Sequence, residues 1–225
     1  MRLRLPFQIS LYLVVGFLAS ILCLAVFAAL ADEVNEQETI VEIDLAIAES
    51  LHQHVTEAQA GLYWFITLFG SQGVFIIALA LGLYFLYTRR WKSALIWLIA
   101  LGGGQVLNLL LKAAFARPRP LYAERFVQEI NSSFPSGHAM LSMICYGMIA
   151  YLAMRLTSNR ITRILIGFTA AMIVVLISIS RMYLGVHYLS DVVAGMAAGG
   201  LWLSVCVTAM ERLRRGKGSL LANSL

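Results

Sequence analysis

The sequence is poor in charge: Asp, Glu, Lys and Arg make up 13% of its 225 residues, whereas soluble globular proteins carry about a quarter. Hydrophobic residues make up 60%, and the mean hydropathy is +0.80. Only four prolines and three cysteines are present, which argues against collagen-like, disordered and disulfide-stapled folds. The cysteines at 23, 145 and 206 all lie in apolar runs, so we expect free, buried thiols.

Long uncharged stretches occupy most of the chain. Five of them approach the roughly 20 residues that cross a bilayer as an α-helix; they are residues 5–31, 93–111, 139–154, 164–180 and 192–210. A sixth, residues 58–88, is too long for one straight span and is interrupted by Gly70, Ser71 and Gly73. We therefore expect an interfacial helix near 58–69 and a span near 72–88. Because lipid offers exposed backbone groups no partners, the sequence predicts an all-α polytopic protein of one domain, residues 1–225, with six transmembrane helices.

Basic residues between the spans fall on one side of the predicted bundle. That side has twelve of the 17 Lys and Arg residues, whereas eleven of the 12 acidic residues lie on the other, eight of them between Asp32 and Glu57. Because basic loops stay cytoplasmic, we expect both termini in the cytoplasm. The polar segment 33–57 has apolar residues at helical spacing, which predicts an amphipathic helix on the outer surface. The first span could instead be a cleaved secretory signal, but it is longer than the ~7–15 apolar residues of such signals.

Five basic residues depart from this distribution and lie on the outer side: Lys112, Arg117, Arg119, Arg125 and Arg181. A cation kept on the disfavoured side of a membrane needs an anion near it. For Arg117 and Arg125, an adequate explanation is that the charge reaches lipid headgroups while the stem follows the apolar surface. For the other three, the neighbouring residues favour a bound anion.

Three clusters of polar residues lie at the outer ends of spans, and two of them contain these three cations. Residues 112–120 (KAAFARPRP) close the third span, where the prolines end the helix. Residues 134–138 (FPSGH) open the fourth span, and a helix start presents backbone N–H groups that suit an anion. Residues 180–191 (SRMYLGVHYLSD) join the last two spans. Within them His187 and Asp191 are four residues apart, so on a helix the carboxylate can fix the imidazole tautomer.

Two histidines, one carboxylate, three cations and a helix N-terminus at one membrane face suit a tetrahedral oxyanion such as phosphate. Phosphoryl transfer requires chiefly positioning and charge stabilisation. A histidine nucleophile held by a carboxylate, with a second histidine that protonates the leaving oxygen, would supply the remaining chemistry.

The three clusters resemble, in full and in order, the signature motifs of the type-2 phosphatidic acid phosphatase superfamily of membrane lipid phosphatases. The motifs are KxxxxxxRP at 112–120, PSGH at 135–138 and SRxxxxxHxxxD at 180–191. The resemblance implies that His187 is the nucleophile, that Asp191 orients and activates it, and that His138 is the general acid.

The resemblance also implies which residues hold the phosphate: Lys112, Arg119, Ser136, Gly137 and Arg181. Asp44 and residues 67–71 are loosely similar to the family's approach to its second span. Arg117 lies outside the motifs and receives no role.

Several alternatives use the same residues. Two histidines and a carboxylate could hold a metal, but three nearby cations would repel it, so we expect no metal and no cofactor. Vanadate in the same place would give a haloperoxidase, which fits a six-span protein poorly. A lipid-phosphate transporter or binding protein without catalysis is the remaining alternative, although no span has an ionisable residue away from its end.

The expected substrate is a membrane lipid with a phosphate monoester or diphosphate: phosphatidylglycerol phosphate, phosphatidic acid or an isoprenyl diphosphate such as undecaprenyl diphosphate. The motifs contact only the phosphate, so they do not distinguish lipid tails. Because most basic residues belong to cytoplasmic loops, we expect no nucleic-acid partner. We expect a bacterial cytoplasmic membrane protein whose site faces the extracytoplasmic side and receives lipid sideways from the outer leaflet.

Overall fold

The computed structural model describes residues 11–36, 39–120 and 131–222, and every regular element within these ranges is helical. The helices are α1 (Leu11–Glu36), α2 (Thr39–His54), α3 (Glu57–Leu68), α4 (Gln72–Tyr87), α5 (Trp91–Leu98), α6 (Gly104–Phe115), α7 (Gly137–Met154), α8 (Arg160–Tyr183) and α9 (Leu189–Ala222), with a π-helical turn (Ile99–Gly103) between α5 and α6. The three cysteines are free, as predicted.

In the described residues, six helical stretches are long and apolar enough to cross a membrane, which confirms the predicted fold class. They are Gly16–Glu36, Glu57–Tyr87, Trp91–Phe115, Gly137–Met154, Arg160–Tyr183 and Leu189–Arg212. Many of their large apolar side chains are exposed in the isolated molecule, as lipid-facing side chains must be.

The second stretch is divided into α3 and α4 by a break at residues 69–71, where the sequence predicts an interruption. α3 begins with a capping box, in which the Thr56 hydroxyl accepts from the Gln59 amide at 3.3 Å and the Thr56 amide donates to the Gln59 side chain at 3.0 Å. Further along, the ring of Tyr63 stacks on that of Tyr183, 4.2 Å between centroids. α3 therefore packs along the end of α8; its predicted interfacial position stays a prediction.

α7 and α9 form the centre of the bundle and approach each other through glycines. A Cβ atom on Gly195 would lie 2.5 Å from the carbonyl oxygen of Ser136, and one on Gly199 would lie 2.6 Å from that of Met140. Any larger residue would separate the two helices at these points. This close packing places the start of α9 against the start of α7.

α2 confirms the helix predicted within residues 33–57, but its buried face is not purely apolar. Asp44 is fully buried, whereas its neighbour Ile43 is 44% exposed. The face that contacts the bundle therefore contains a carboxylate, which requires buried donors opposite it. Those donors belong to the site described next.

Candidate active site

The three predicted motifs converge on one cavity of about 400 Å³ at the end of the bundle where α6 stops and α7 and α9 start. Five of the eight predicted site residues line it: Lys112, Arg119, Gly137, His138 and His187. The other three lie just behind its wall and are buried: Ser136, Arg181 and Asp191. Arg125 lies outside the described residues.

The cationic wall is formed where α6 gives way to an extended segment. Ala116 ends the helix with a left-handed backbone, φ 45°, and its amide donates to the Lys112 carbonyl at 3.0 Å. Arg119 then donates from Nη1 to the Val186 carbonyl at 2.8 Å and from Nε to the Asn131 carbonyl at 2.7 Å. These bonds fasten the guanidinium to the two loops that flank the cavity, so its charge is held in place without a ligand.

The N-terminus of α7 forms a second wall. Gly137 and His138 are its first two residues, and the first turn of an α-helix leaves N–H groups without intrahelical acceptors. A Cβ atom on Gly137 would lie 2.9 Å from the Asn108 side-chain oxygen, so a larger residue would require that side chain to shift.

Ser136 links the start of α7 to α9. Its backbone amide donates to the Asp191 carbonyl at 2.9 Å, and its hydroxyl oxygen accepts from the Ala139 amide at 3.5 Å. Ser136 therefore joins α7 to α9 and caps α7, while the amides that follow it lie at the cavity.

The third wall contains the histidine–carboxylate pair. Nδ1 of His187 lies 3.3 Å from Oδ2 of Asp191, and both side chains are almost fully buried. Burial lowers the pKa of His187 well below its usual value, and the positive charges of Arg181, Arg119 and Lys112 lower it further, against a hydrogen bond to the Ser133 backbone. The imidazole is therefore neutral at ordinary pH.

Arg181 supports the site from behind. It is 1% exposed in the last turn of α8, and its Nη1 donates to the Thr67 hydroxyl at 3.0 Å. Nearby, a Cβ atom on Gly70 would lie 3.3 Å from the His138 ring. Residues 67–71, which loosely resemble the family's approach to its second span, thus form part of the site.

Arg117 is where the sequence prediction was wrong. The side chain does not extend to headgroups: it is 7% exposed and bonds from Nη1 to Asp191 Oδ1 at 2.7 Å and from Nη2 to Asp44 Oδ2 at 2.9 Å. Burial alone would lower the pKa of Arg117, but the charges and hydrogen bonds of Asp191 and Asp44 outweigh it and raise the pKa.

A signal for this inward position was present in the sequence. Residues before proline favour extended backbone, and in extended backbone positions i and i+2 face the same side. Arg117 and Arg119 each precede a proline, so a chain that directs one toward the site directs the other inward as well.

Asp44 was likewise missed as a site neighbour. Its Oδ1 accepts from the Ser190 amide at 3.0 Å, and its Oδ2 accepts from the Ser190 hydroxyl as well as from Arg117. The one sequence signal was the loose family similarity around Asp44, which did not place this carboxylate at the site.

Within the described part of the chain, no three His, Cys, Asp or Glu side chains lie together in an arrangement that could hold a metal ion. The charged and titratable side chains that line the cavity are instead Lys112, Arg119, His138 and His187, and the start of α7 forms part of its wall. This set suits an anion.

Six apolar helices, with a cation-rich cavity and two histidines at one end, define an integral membrane enzyme that acts on an anionic group. The profile of the PAP2 superfamily matches residues 93–215, more than half of the chain, and the chain belongs to this superfamily. The family resemblance read from the motifs is confirmed.

The proteins to which this chain is similar are named as phosphatases or diphosphatases of lipids. The chain is 36% identical over 141 residues to phosphatidylglycerophosphatase B of Bacillus subtilis strain 168, covering 62% of this chain and 68% of that one. It is 34% identical over 156 residues to an undecaprenyl-diphosphatase of Sulfolobus acidocaldarius, covering 67% and 70%. A solved transmembrane PAP2-type phosphatidylglycerolphosphate phosphatase from B. subtilis superposes with a TM-score of 0.77 at 29% identity, covering 86% of this chain and 96% of that one. The protein is a lipid phosphate or diphosphate phosphatase of the membrane.

Proposed function

We propose that this enzyme hydrolyses the phosphate monoester or diphosphate of a lipid through a covalent phosphohistidine on His187. The observation that carries the proposal is the buried His187–Asp191 pair, 3.3 Å apart, at a cavity lined by Lys112 and Arg119. A proton on Nδ1 suits the contact with the carboxylate. Nε2 then has the free lone pair that attacks phosphorus.

The phosphate is bound by charge and by helix amides. Lys112 and Arg119 neutralise its oxygens from one wall, and the amides at the start of α7, at Gly137 and His138, bind them from another. Arg181, behind the cavity, adds positive charge to the field at the site. Ser136 contributes by holding the start of α7 in place. Charge stabilisation of this kind is the main catalytic requirement of phosphoryl transfer.

The reaction has two steps. Nε2 of His187 forms a bond to phosphorus as the bond to the leaving oxygen breaks, and His138 gives that oxygen a proton. His138 then takes a proton from water, whose oxygen attacks phosphorus, and the bond to His187 breaks to release phosphate. Asp191 stabilises the positive charge on the imidazole between the steps.

The cavity offers a route for a lipid. From the cations it continues along apolar side chains of the second and third spans: Val74, Phe75, Ala78, Leu101 and Leu109. Phe75 is 69% exposed on the lipid-facing surface. A headgroup phosphate can therefore reach the histidines while its tail stays in the hydrocarbon layer. Phosphatidylglycerol phosphate, phosphatidic acid and undecaprenyl diphosphate all have this form, and the similarity to two named relatives favours the first and third.

We also propose where the enzyme lies in the membrane and that it works without a metal or cofactor. The distribution of basic residues supports cytoplasmic termini and a site on the extracytoplasmic side of the membrane. We further propose that residues 1–225 form one domain in a bacterial cytoplasmic membrane. The cations around the cavity would repel a divalent metal, so the enzyme needs neither metal nor cofactor.

Phosphate release from purified protein in detergent tests the proposal. Phosphatidylglycerol phosphate, phosphatidic acid and undecaprenyl diphosphate are compared with and without chelator, beside the His187→Ala variant. We expect release from at least one lipid, unchanged by chelator and absent in the variant. Loss of activity in chelator with rescue by added metal, or release by the variant at the native rate, would contradict the proposal.

A further inference from the structure

We propose that Arg117 and Asp44 are positioning residues for catalysis: together they fix and keep ionised the Asp191 carboxylate that orients His187. The inference rests on the proposed role of His187. It adds to that role a chain of buried charges that runs from α2 to the start of α9, through residues that belong to none of the three motifs.

Both oxygens of the Asp191 carboxylate have polar partners. Oδ1 accepts from Arg117 at 2.7 Å, while Oδ2 accepts from the Tyr188 amide at 2.9 Å and lies 3.3 Å from His187 Nδ1. Donors on both oxygens prevent the carboxylate from rotating. The oxygen that faces the imidazole is therefore fixed.

Arg117 also favours the ionised form of Asp191. Asp191 is fully buried, and a buried carboxylate without a cationic partner tends to take up a proton. The guanidinium of Arg117 is its ion-pair partner on the side away from His187. A protonated Asp191 could not stabilise the imidazolium that forms during the reaction, so this pairing preserves the catalytic state.

Arg117 is itself held in place by Asp44, on the side away from Asp191. Its Nη2 pairs with Asp44 at 2.9 Å, and its guanidinium lies 4.3 Å from the centroid of the Tyr188 ring. Asp44 in turn accepts from the Ser190 amide next to Asp191. A guanidinium has the planar fork needed to bridge two carboxylates, whereas a lysine ammonium does not.

The charged groups that face the His187–Asp191 pair come from every surrounding element: Asp44 from α2, Lys112 from α6, Arg117 and Arg119 from the segment after α6, His138 from α7 and Arg181 from α8. Removing Arg117 deletes the cation that contacts the carboxylate directly. Asp191 should then bind a proton more readily, since it loses the positive charge that contacts its Oδ1.

The test compares Arg117→Gln, Arg117→Lys and Asp44→Asn with a matched control, Arg155→Gln. Arg155 pairs with Glu211 at 2.8 Å between α7 and α9, at the opposite end of the bundle. For each variant, kcat, KM and the pH dependence of kcat/KM are measured on a lipid phosphate that the native enzyme hydrolyses, with Tm as a check on folding.

We expect Arg117→Gln to lower kcat by about 10–100-fold, the loss typical of a side chain that supports a functional group, with little change in KM. The acid limb of its pH profile should move to higher pH. Arg117→Lys should recover part of kcat, Asp44→Asn should lose less than Arg117→Gln, and Asp44→Asn should add nothing in the Arg117→Gln background. Arg155→Gln should match the native kcat and pH profile.

A native kcat in Arg117→Gln, or a kcat loss with an unmoved acid limb and no rescue by lysine, would overturn the inference. A second readout does not depend on turnover: ¹³C NMR of the Asp191 carboxyl should show that it takes up a proton at a higher pH in Arg117→Gln than in the native protein. If the native enzyme hydrolyses no lipid phosphate, the proposed function fails, and an unchanged Asp191 titration separately overturns this inference.

Discussion

Gly195 of α9 lies against the backbone of Ser136 at the start of α7, so closely that a Cβ atom would come within 2.5 Å of the Ser136 carbonyl oxygen. The same contact brings the Ser136 amide to the Asp191 carbonyl, 2.9 Å away. The helix that presents His138 and the helix that contains Asp191 are thus held at a fixed separation by one residue without a side chain.

Gly195→Ala should therefore damage both stability and activity. The backbone oxygen cannot move aside like a flexible side chain, so α9 must shift; such overpacking costs typically ~1–3 kcal/mol. We expect a Tm several degrees lower and a clear fall in kcat. Gly61→Ala is the control, because Gly61 of α3 has nothing within 4 Å of a Cβ atom, and it should leave both unchanged or raise Tm slightly. An unaffected Gly195→Ala enzyme would refute the packing argument.

His138→Ala should affect substrates according to their leaving group. A general acid contributes about 10²–10⁴-fold when the leaving oxygen needs a proton. We expect a loss in that range on a lipid phosphate and a much smaller loss on p-nitrophenyl phosphate, whose leaving group departs without protonation. Steady-state kcat on both substrates measures the difference. Equal losses would count against the acid assignment.

The ionisation of His187 gives a prediction on pH. Burial and then the charges of Arg181, Arg119 and Lys112 lower its pKa, so the neutral nucleophile persists as the pH falls below the ordinary histidine value. We expect ¹⁵N NMR of the ligand-free enzyme to show His187 neutral at pH 6, with the resonance assigned by its absence from His187→Gln. An imidazole that is charged at pH 6 would contradict the described environment.

Membrane orientation can be tested with single cysteines in a cysteine-free background. Ala58 lies in the first turn of α3, which packs along the Tyr183 end of α8, and Ser158 precedes the other end of α8; both are exposed. A membrane-impermeant thiol reagent applied to intact cells should label Ala58→Cys and spare Ser158→Cys until the cells are opened. The reverse pattern would place the site in the cytoplasm.

The charge pattern and the lengths of the uncharged stretches were sufficient to predict six spans, the break near Gly70 and the convergence of the motifs. Each of these depends on local sequence, since span length follows bilayer thickness and proline or glycine marks a break. Arg117 and Asp44 were not predicted as a pair because they lie 73 positions apart, and their contact depends on how α2 docks onto the loop after α6. The bond from the Ser136 amide to the Asp191 carbonyl depends on tertiary structure in the same way.

The most direct test of the account is to trap the covalent intermediate. Native enzyme is mixed with ³²P-labelled lipid phosphate, quenched within the first turnover, and the labelled peptide is mapped, with His187→Ala and Arg155→Gln treated in parallel. The account predicts an acid-labile, base-stable phosphoryl group on His187 in the native enzyme and in Arg155→Gln, and none in His187→Ala. Turnover without any covalent label, or a label on another residue, would contradict it.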